Sequence, residues 1–460
     1  MCFTATAAVE SLVNVVPSRT PLRLPDHGFG EHVGWMDMRQ VNGLRAELAE
    51  FVADVFATVP RRDQRSKGDC YLRGLMLDGR RKSIQAVAGR LPDGNEQNLQ
   101  QFVNQSTWDP TRVRRRIAER MVGLIGPDAW VIDDVSFPKD GTMSVGVAHQ
   151  YCGTLGKQAN CQVAVSVHAV TDTASCPLQW RLFVPEEWAH DAVRRRKVGM
   201  PKEIRRREKW RLALETLDEL ATWGLVPPVV VADAGYGQNA DFRASLADRG
   251  IAYVVAIRSD ATVHPHHAVP VAPPWSGNGR RPQPRYRDKP SSVAALASAH
   301  GRQAFTEVTW REGSRGQMRS RFLTLRVRPA GVRARRLAQA AATARQGSWD
   351  GVLPEVTLLV EWPEKAEAPS NYWLADLPAD TPPAELIRLA KIRWRIEHDY
   401  RELKHGLGLD HFEGRSWTGW HHHVTLVTAA HAFLTEQRLS PKARTPASRS
   451  IRYWTPSRAS

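Results

Sequence analysis

The stretch "WVIDDVSFP" (130–138) reads as a buried strand that runs straight into two acids, Asp133 and Asp134. Its neighbours continue the extended pattern. "MSVGVAHQYCG" (143–153) and "CQVAVSVHAVT" (161–171) alternate as strands, and "PLQWRLFVP" (177–185) adds a further extended piece. Next, "RRRKVGMPKEIRRREKWRLALETLDELATWGL" (194–225) opens basic and becomes a long helix with Leu212, Leu217 and Leu220 among its apolar positions. "PPVVVADAGYG" (227–237) is a short apolar strand that ends in Asp233 before a Gly-containing turn. A short helix (240–249) and the strand "AYVVAIR" (252–258) close the run.

Consecutive strands predict an antiparallel meander, and the alternating strands and helices after them predict parallel additions. This is the order of a ribonuclease-H-like α/β core. In that fold an acid on the first strand lies beside the acid that ends the later, parallel strand.

A third acid belongs to "IRWRIEHDYRELKHGLGLDHFEGR" (392–415). Thr381, Pro382 and Pro383 suit a helix start, and Leu386, Leu389, Ile392, Ile396, Tyr400 and Leu403 recur at helical spacing. One helix is predicted from there to Gly406 and Gly408, which suit a C-terminal cap. On such a helix Arg393, Glu397 and Lys404 would share one stripe. A solvated face with ordinary ion pairs is the plainer reading; an acidic metal ligand flanked by phosphate-holding cations is the sharper one.

The composition favours the sharper reading. The 460 residues carry a net charge of +16, which for a soluble chain points first to nucleic acid. No apolar run approaches the length of a membrane span, and the N-terminus makes a poor signal peptide, so a cytoplasmic protein without membrane contact is expected. Five scattered cysteines with no CxxC pair argue against a zinc site or a disulfide framework.

Six segments follow from the pattern. Residues 1–35 are a flexible arm. Residues 36–126 are an all-α, helix-turn-helix-like DNA-binding domain that includes "VNGLRAELAEFVADVFATV" (41–59) and the basic helix after Asp109-Pro110. Residues 127–263 begin the catalytic core. Residues 264–370 form an inserted β-rich subdomain with "FTEVTW", "RFLTLRVRP" and "EVTLLVEW". Residues 371–435 complete the core with the acid-bearing helix and an apolar helix at 421–434, and residues 436–460 are a basic disordered tail.

Three convergent carboxylates, Asp133 or Asp134 with Asp233 and Glu397, suit two hard divalent cations for in-line phosphoryl displacement. Arg393 and Lys404 would neutralise the DNA backbone, and Arg194, Arg195, Arg196, Arg205, Arg206 and Arg207 could add phosphate contacts. The run His421–His423 cannot easily hold one ion, because successive helical side chains diverge. It reads as surface or DNA-facing.

With "IDDVSFPK", "NCQVAVSVHAV", "VVVADAGYG" and "RWRIEHDYRELKHGLGLDHFEGRSWTGWHHH", the chain resembles the DDE transposases of bacterial insertion sequences, in the branch with a β-rich insertion before the glutamate. Arg393, Glu397 and Lys404 match the last three members of that branch's Y-x2-R-x3-E-x6-K signature, while Ala390 replaces its tyrosine. The resemblance implies a catalytic triad of Asp133, Asp233 and Glu397, with Asp133 favoured over Asp134. It also implies two Mg2+ ions with Mn2+ able to substitute, and a homodimer acting on terminal inverted repeats and target DNA. A base-stacking Trp310, Trp349 or Trp362 in the insertion would follow by the same analogy. A catalytically silent DNA-binding descendant and a structure-specific nuclease on the same fold are the alternatives.

Overall fold

The computed structural model describes residues 38–440 apart from 280–281, 314–315, 346 and 348. The expected N-terminal arm and residues 441–460 of the expected tail lie outside the described residues. Five helices come first: α1 (Met38–Val55), α2 (Arg62–Met76), α3 (Ile84–Ala88), α4 (Glu96–Asn104) and α5 (Pro110–Ile125). The sequence ends α5 as expected. Asp109 accepts from Thr111 N, Pro110 tolerates the first turn, and Gly126 closes it at φ 55°.

The strands are β1 (Ala129–Pro138), β2 (Ala148–Cys152), β3 (Lys157–Val170) and β4 (Ser175–Leu182). Helices α6 (Glu186–Ala189), α7 (Ala192–Lys197) and α8 (Lys209–Thr222) follow. Then come β5 (Val230–Ala232), α9 (Ala234–Gly237), α10 (Ala240–Asp248), β6 (Tyr253–Ile257) and β7 (Thr262–Pro265). The remaining elements are β8 (Ser291–Ser292), α11 (Val293–Ala299), β9 (Thr306–Gly313), β10 (Gly316–Pro329), α12 (Val332–Ala344), β11 (Val356–Trp362), β12 (Asn371–Asp376), α13 (Pro383–Lys391), α14 (Trp394–Arg401) and α15 (Trp417–Leu439).

The meander and the parallel additions are both present. β1 pairs antiparallel with β3, whose far edge is shared by β2 and β4. β5 runs parallel to β1 and to β6. The segment 264–370 does not form a separate sheet. Its strands β9, β10 and β11 extend the central sheet, because β12 returns antiparallel to β6 and carries β11 and β10 on its outer edge.

The N-terminal helices share their core with the rest of the chain. Phe51, Tyr71, Phe102 and Ile117 pack in one buried cluster with Trp180 of β4, Leu403, and Val424 and Phe433 of α15. A boundary at residue 126 is therefore not a break in the packing. α15 explains why: it is buried over most of its length, as expected of a helix apolar all round. It also runs on to Leu439, so residues 436–439 are helix rather than tail, with Glu436 paired to Arg120 and Arg438 to Glu402.

Candidate active site

Strand parity decides which side of the sheet each acid faces, since neighbouring strand residues point to opposite faces. Asp133 shares its face with Ala129 and Val131, which pack against Leu389 of α13 and Ile396 of α14. Asp134 shares the opposite face with Trp130 and Ile132, which pack with Leu212 of α8 and Phe242 of α10. Asp134 is engaged there: Lys209 Nζ lies 2.5 Å from its Oδ2, and the Tyr236 hydroxyl donates to its Oδ1.

Asp233 comes directly after β5. Ile132 and Ala232 are paired residues of parallel strands, so Asp133 and Asp233 follow them side by side. Asp233 Oδ1 accepts from Gly235 N at 2.9 Å and caps α9, which leaves its other oxygen outside that bond.

The predicted single helix is broken. Ile392 and Arg393 take tighter dihedrals, with ψ −19° and −25°, and Arg395 N and Ile396 N bond three residues back to Ile392 O and Arg393 O. The cap also differs, because Pro382 precedes the first turn while the Thr381 hydroxyl donates to Pro378 O. At this kink Arg393 reaches Asp133, Nη2 to Oδ2 at 2.8 Å, and its Nη1 lies 3.5 Å from Glu397 Oε1. Glu397 itself is 63% exposed at its side chain.

After α14 the chain makes one π-helical turn, Glu402–Gly406, which closes with Leu407 N on Glu402 O. The expected cap falls at Gly408, at φ 71°, where a Cβ would lie 2.3 Å from Lys82 Cβ. The wider turn takes Lys404 off the Arg393–Glu397 stripe. Its buried ammonium instead bonds Ser136 O at 2.9 Å and Thr154 Oγ1 at 2.7 Å.

Asp133 is buried, and this decides its acidity. Burial raises its pKa to about 7; Arg393 opposes the rise, while Asp233 and Asp134 add to it. A buried carboxylate beside a second carboxylate is a hard-oxygen pair short of positive charge, which suits a divalent cation. The third carboxylate is not yet with them. Among the described residues no three His, Cys, Asp or Glu side chains are grouped closely enough to hold an ion, and Arg393 stands between Asp133 and Glu397.

The other predicted residues make their contacts elsewhere. Arg194 stacks on Trp188 and donates to Thr142 O, Arg195 bonds Ile204 O, and Arg205 bonds Lys202 O. Arg206 pairs with Glu186 and Arg207 with Glu215, whereas Arg196 is exposed. Trp349 and Trp362 donate to Val352 O and Ala366 O within the insertion. Trp310 lies nearest the acid-bearing helices, with Lys391 Nζ 4.8 Å from its ring centre.

The histidine run is neither surface nor DNA-facing. His421, His422 and His423 are all buried. His422 stacks on Trp108 at 3.8 Å, and His423 sits between the Tyr71 hydroxyl and Gly408 O. The reason is that α15 has no solvent side on which a histidine could stand. The sequence reading also passed over His168, Asp399 and the hydroxyls of Ser166 and Tyr400, which are joined beneath α14. The signal was the polar set "HDY" (398–400) where the helix meets the sheet.

The chain matches the family described as DDE superfamily endonuclease over residues 54–317. It belongs to the DDE superfamily. The family described as transposase DDE domain matches residues 206–433, which include Asp233 and Glu397. Over 190 residues this DDE protein is 30% identical to the probable transposase for insertion sequence element IS701 of Microchaete diplosiphon, covering 41% of this chain and 47% of that relative. The chain thus spans about half the length of the curated relative it matches. No helix among the described residues is long and apolar enough to cross a membrane.

Proposed function

We propose that this DDE protein is an insertion-sequence transposase that hydrolyses a phosphodiester at each element end and joins the freed 3′-hydroxyl to target DNA. The observation that carries the reading is the meeting of Asp133 and Glu397 on one guanidinium, with Asp233 beside Asp133 on the parallel neighbour strand. Asp133, Asp233 and Glu397 would hold Mg2+, with Mn2+ able to substitute, and the ions would polarise the attacking and leaving oxygens.

The chain's own residues support this use. Burial makes Asp133 a carboxylate that gains from a cation partner. The Lys209 and Tyr236 bonds hold Asp134 on the other face of β1, which favours Asp133 as the reacting acid. Arg393, freed from Asp133 by a bound cation, would be placed to meet a phosphate of the DNA end. Double-stranded DNA is the partner on this reading, with two chains acting on paired ends. Of the three tryptophans, Trp310 is best placed to contact an unstacked base, because it borders the kink that carries Arg393.

The test is cleavage of a DNA fragment bearing the gene's own flanks, with Mg2+, beside a Glu397→Gln control. Cuts at two matching ends that vanish in the control are expected. Binding without cutting would overturn the catalytic reading in favour of a silent descendant.

A further inference from the structure

The helix that carries Glu397 has only eight residues, and the kink at Ile392–Arg393 separates it from α13. Its rotation about its own axis is therefore not inherited from the helix before it. Something beneath it must fix which way Glu397 points.

Two adjacent residues of α14 reach down to two residues on one face of β3. The Tyr400 hydroxyl is 2.7 Å from Ser166 Oγ, and Asp399 Oδ2 is 3.0 Å from His168 Nδ1. The circuit closes inside the strand, where His168 Nε2 is 3.0 Å from Ser166 Oγ. Ser175 of β4 donates to the other oxygen of Asp399 at 2.5 Å and accepts from Arg395 Nε at 3.0 Å. Asp399 and His168 are fully buried.

With Asp399 as an acceptor at both oxygens, the donors line up in one order. Tyr400 donates to Ser166, Ser166 donates to His168 Nε2, and His168 Nδ1–H donates to Asp399, which ends the chain as an acceptor. Ser166 is also the residue paired with Asp133 across β1 and β3. The ring thus joins the strand position opposite the first acid to the helix that carries the third.

We propose that Asp399, His168, Ser166 and Tyr400 are positioning residues that set the rotation of α14, so that Glu397 can join Asp133 and Asp233 around a cation. The proposal rests on the functional reading of those three acids. None of the four residues need touch DNA or metal. Their effect passes through the backbone of α14, where Asp399 is two residues from Glu397 and so projects to the opposite side.

The experiment is Mn2+ binding to the full-length protein without DNA, followed by the Mn2+ dependence of end cleavage. Asp399→Asn keeps the side-chain volume and removes the charge, and Tyr400→Phe removes one hydroxyl while keeping the ring. Tyr372→Phe is the control, since it also removes one buried tyrosine hydroxyl bond, to Pro369 O, in which no residue of α14 or of the ring takes part. Asp399→Asn and Tyr400→Phe are expected to weaken Mn2+ binding about 10-fold, the low end of the range for losing a group that orients a metal ligand, since they act through the helix rather than on Glu397 directly. Raised Mn2+ should restore their cleavage, and Tyr372→Phe should bind Mn2+ as the unaltered protein does. Folded Asp399→Asn and Tyr400→Phe proteins with unchanged Mn2+ affinity would overturn the positioning role while leaving the acids in place. Mn2+ binding that survives Asp133→Asn would instead overturn the functional reading of the acids, and the positioning role with it.

Discussion

Arg393 Nη2 stands 2.8 Å from Asp133 Oδ2, so the arginine at the kink between two helices closes on the carboxylate of the central strand. The same guanidinium faces Glu397. It holds together two acids from distant parts of the chain.

The acidity of Asp133 gives a pH signature. Its pKa in the folded chain, about 7, exceeds the ordinary 3.8. The folded state therefore holds this proton more tightly than the unfolded chain, and the group's contribution to stability falls as pH rises from about 4 to about 7. Asp133→Asn should stabilise the metal-free protein by about 1–3 kcal/mol at pH 8. The gain should fade towards pH 4. Thermal melts of the two proteins across this range are the check, and a less stable variant at pH 8 would show that the Arg393 pair outweighs burial.

Lys404 gives a second contrast. Its ammonium ties the end of β1 to Thr154 in the turn after β2, away from solvent. Lys404→Met should cost about 1–3 kcal/mol, because it leaves a buried carbonyl and hydroxyl with one partner fewer. The salt dependence of DNA binding should stay as it was. A slope lowered by about one unit would mean that Lys404 meets a phosphate after all.

His423 should show on the acid side. Burial holds its pKa down at about 4, and the neutral ring satisfies both neighbours, accepting from Tyr71 and donating to Gly408 O. This contribution is complete above the ordinary histidine pKa of 6.5 and is lost as pH falls towards 4. His423→Gln can reproduce both bonds without titrating. Urea unfolding at pH 7.5 and at pH 5 should show a smaller acid loss in the variant than in the unaltered protein.

The shared core predicts a single unfolding event. Because the N-terminal helices pack with α15 and β4 in one cluster, calorimetry should give one cooperative transition rather than two. Residues 127–440 alone should bind a hydrophobic dye, since they would expose the apolar face that α2, α4 and α5 cover.

Much of this was legible in the sequence, for physical reasons. The apolar runs ending at Asp133 and Asp233 could only be buried strands, and their order fixed which acids become neighbours. Helical periodicity found Glu397 and Arg393. It could not show that the helix kinks at Arg393 or widens by a π turn before Lys404, because both are tertiary responses to what the side chains reach. It also misjudged His421–His423, since polarity alone does not tell an exposed ring from one enclosed among backbone carbonyls and aromatic faces.

The way α15 binds the first helices has a consequence for synthesis. Helices α1 to α5 leave the ribosome long before residues 417–439 exist. At about 5–20 residues per second, the roughly 300 residues between α5 and α15 take on the order of 15–60 s to make. Through that interval Phe51, Tyr71 and Phe102 lack the partner against which they finally pack. Nascent chains of this protein should therefore lean on chaperones early, and the finished fold should lock only when its last described helix arrives.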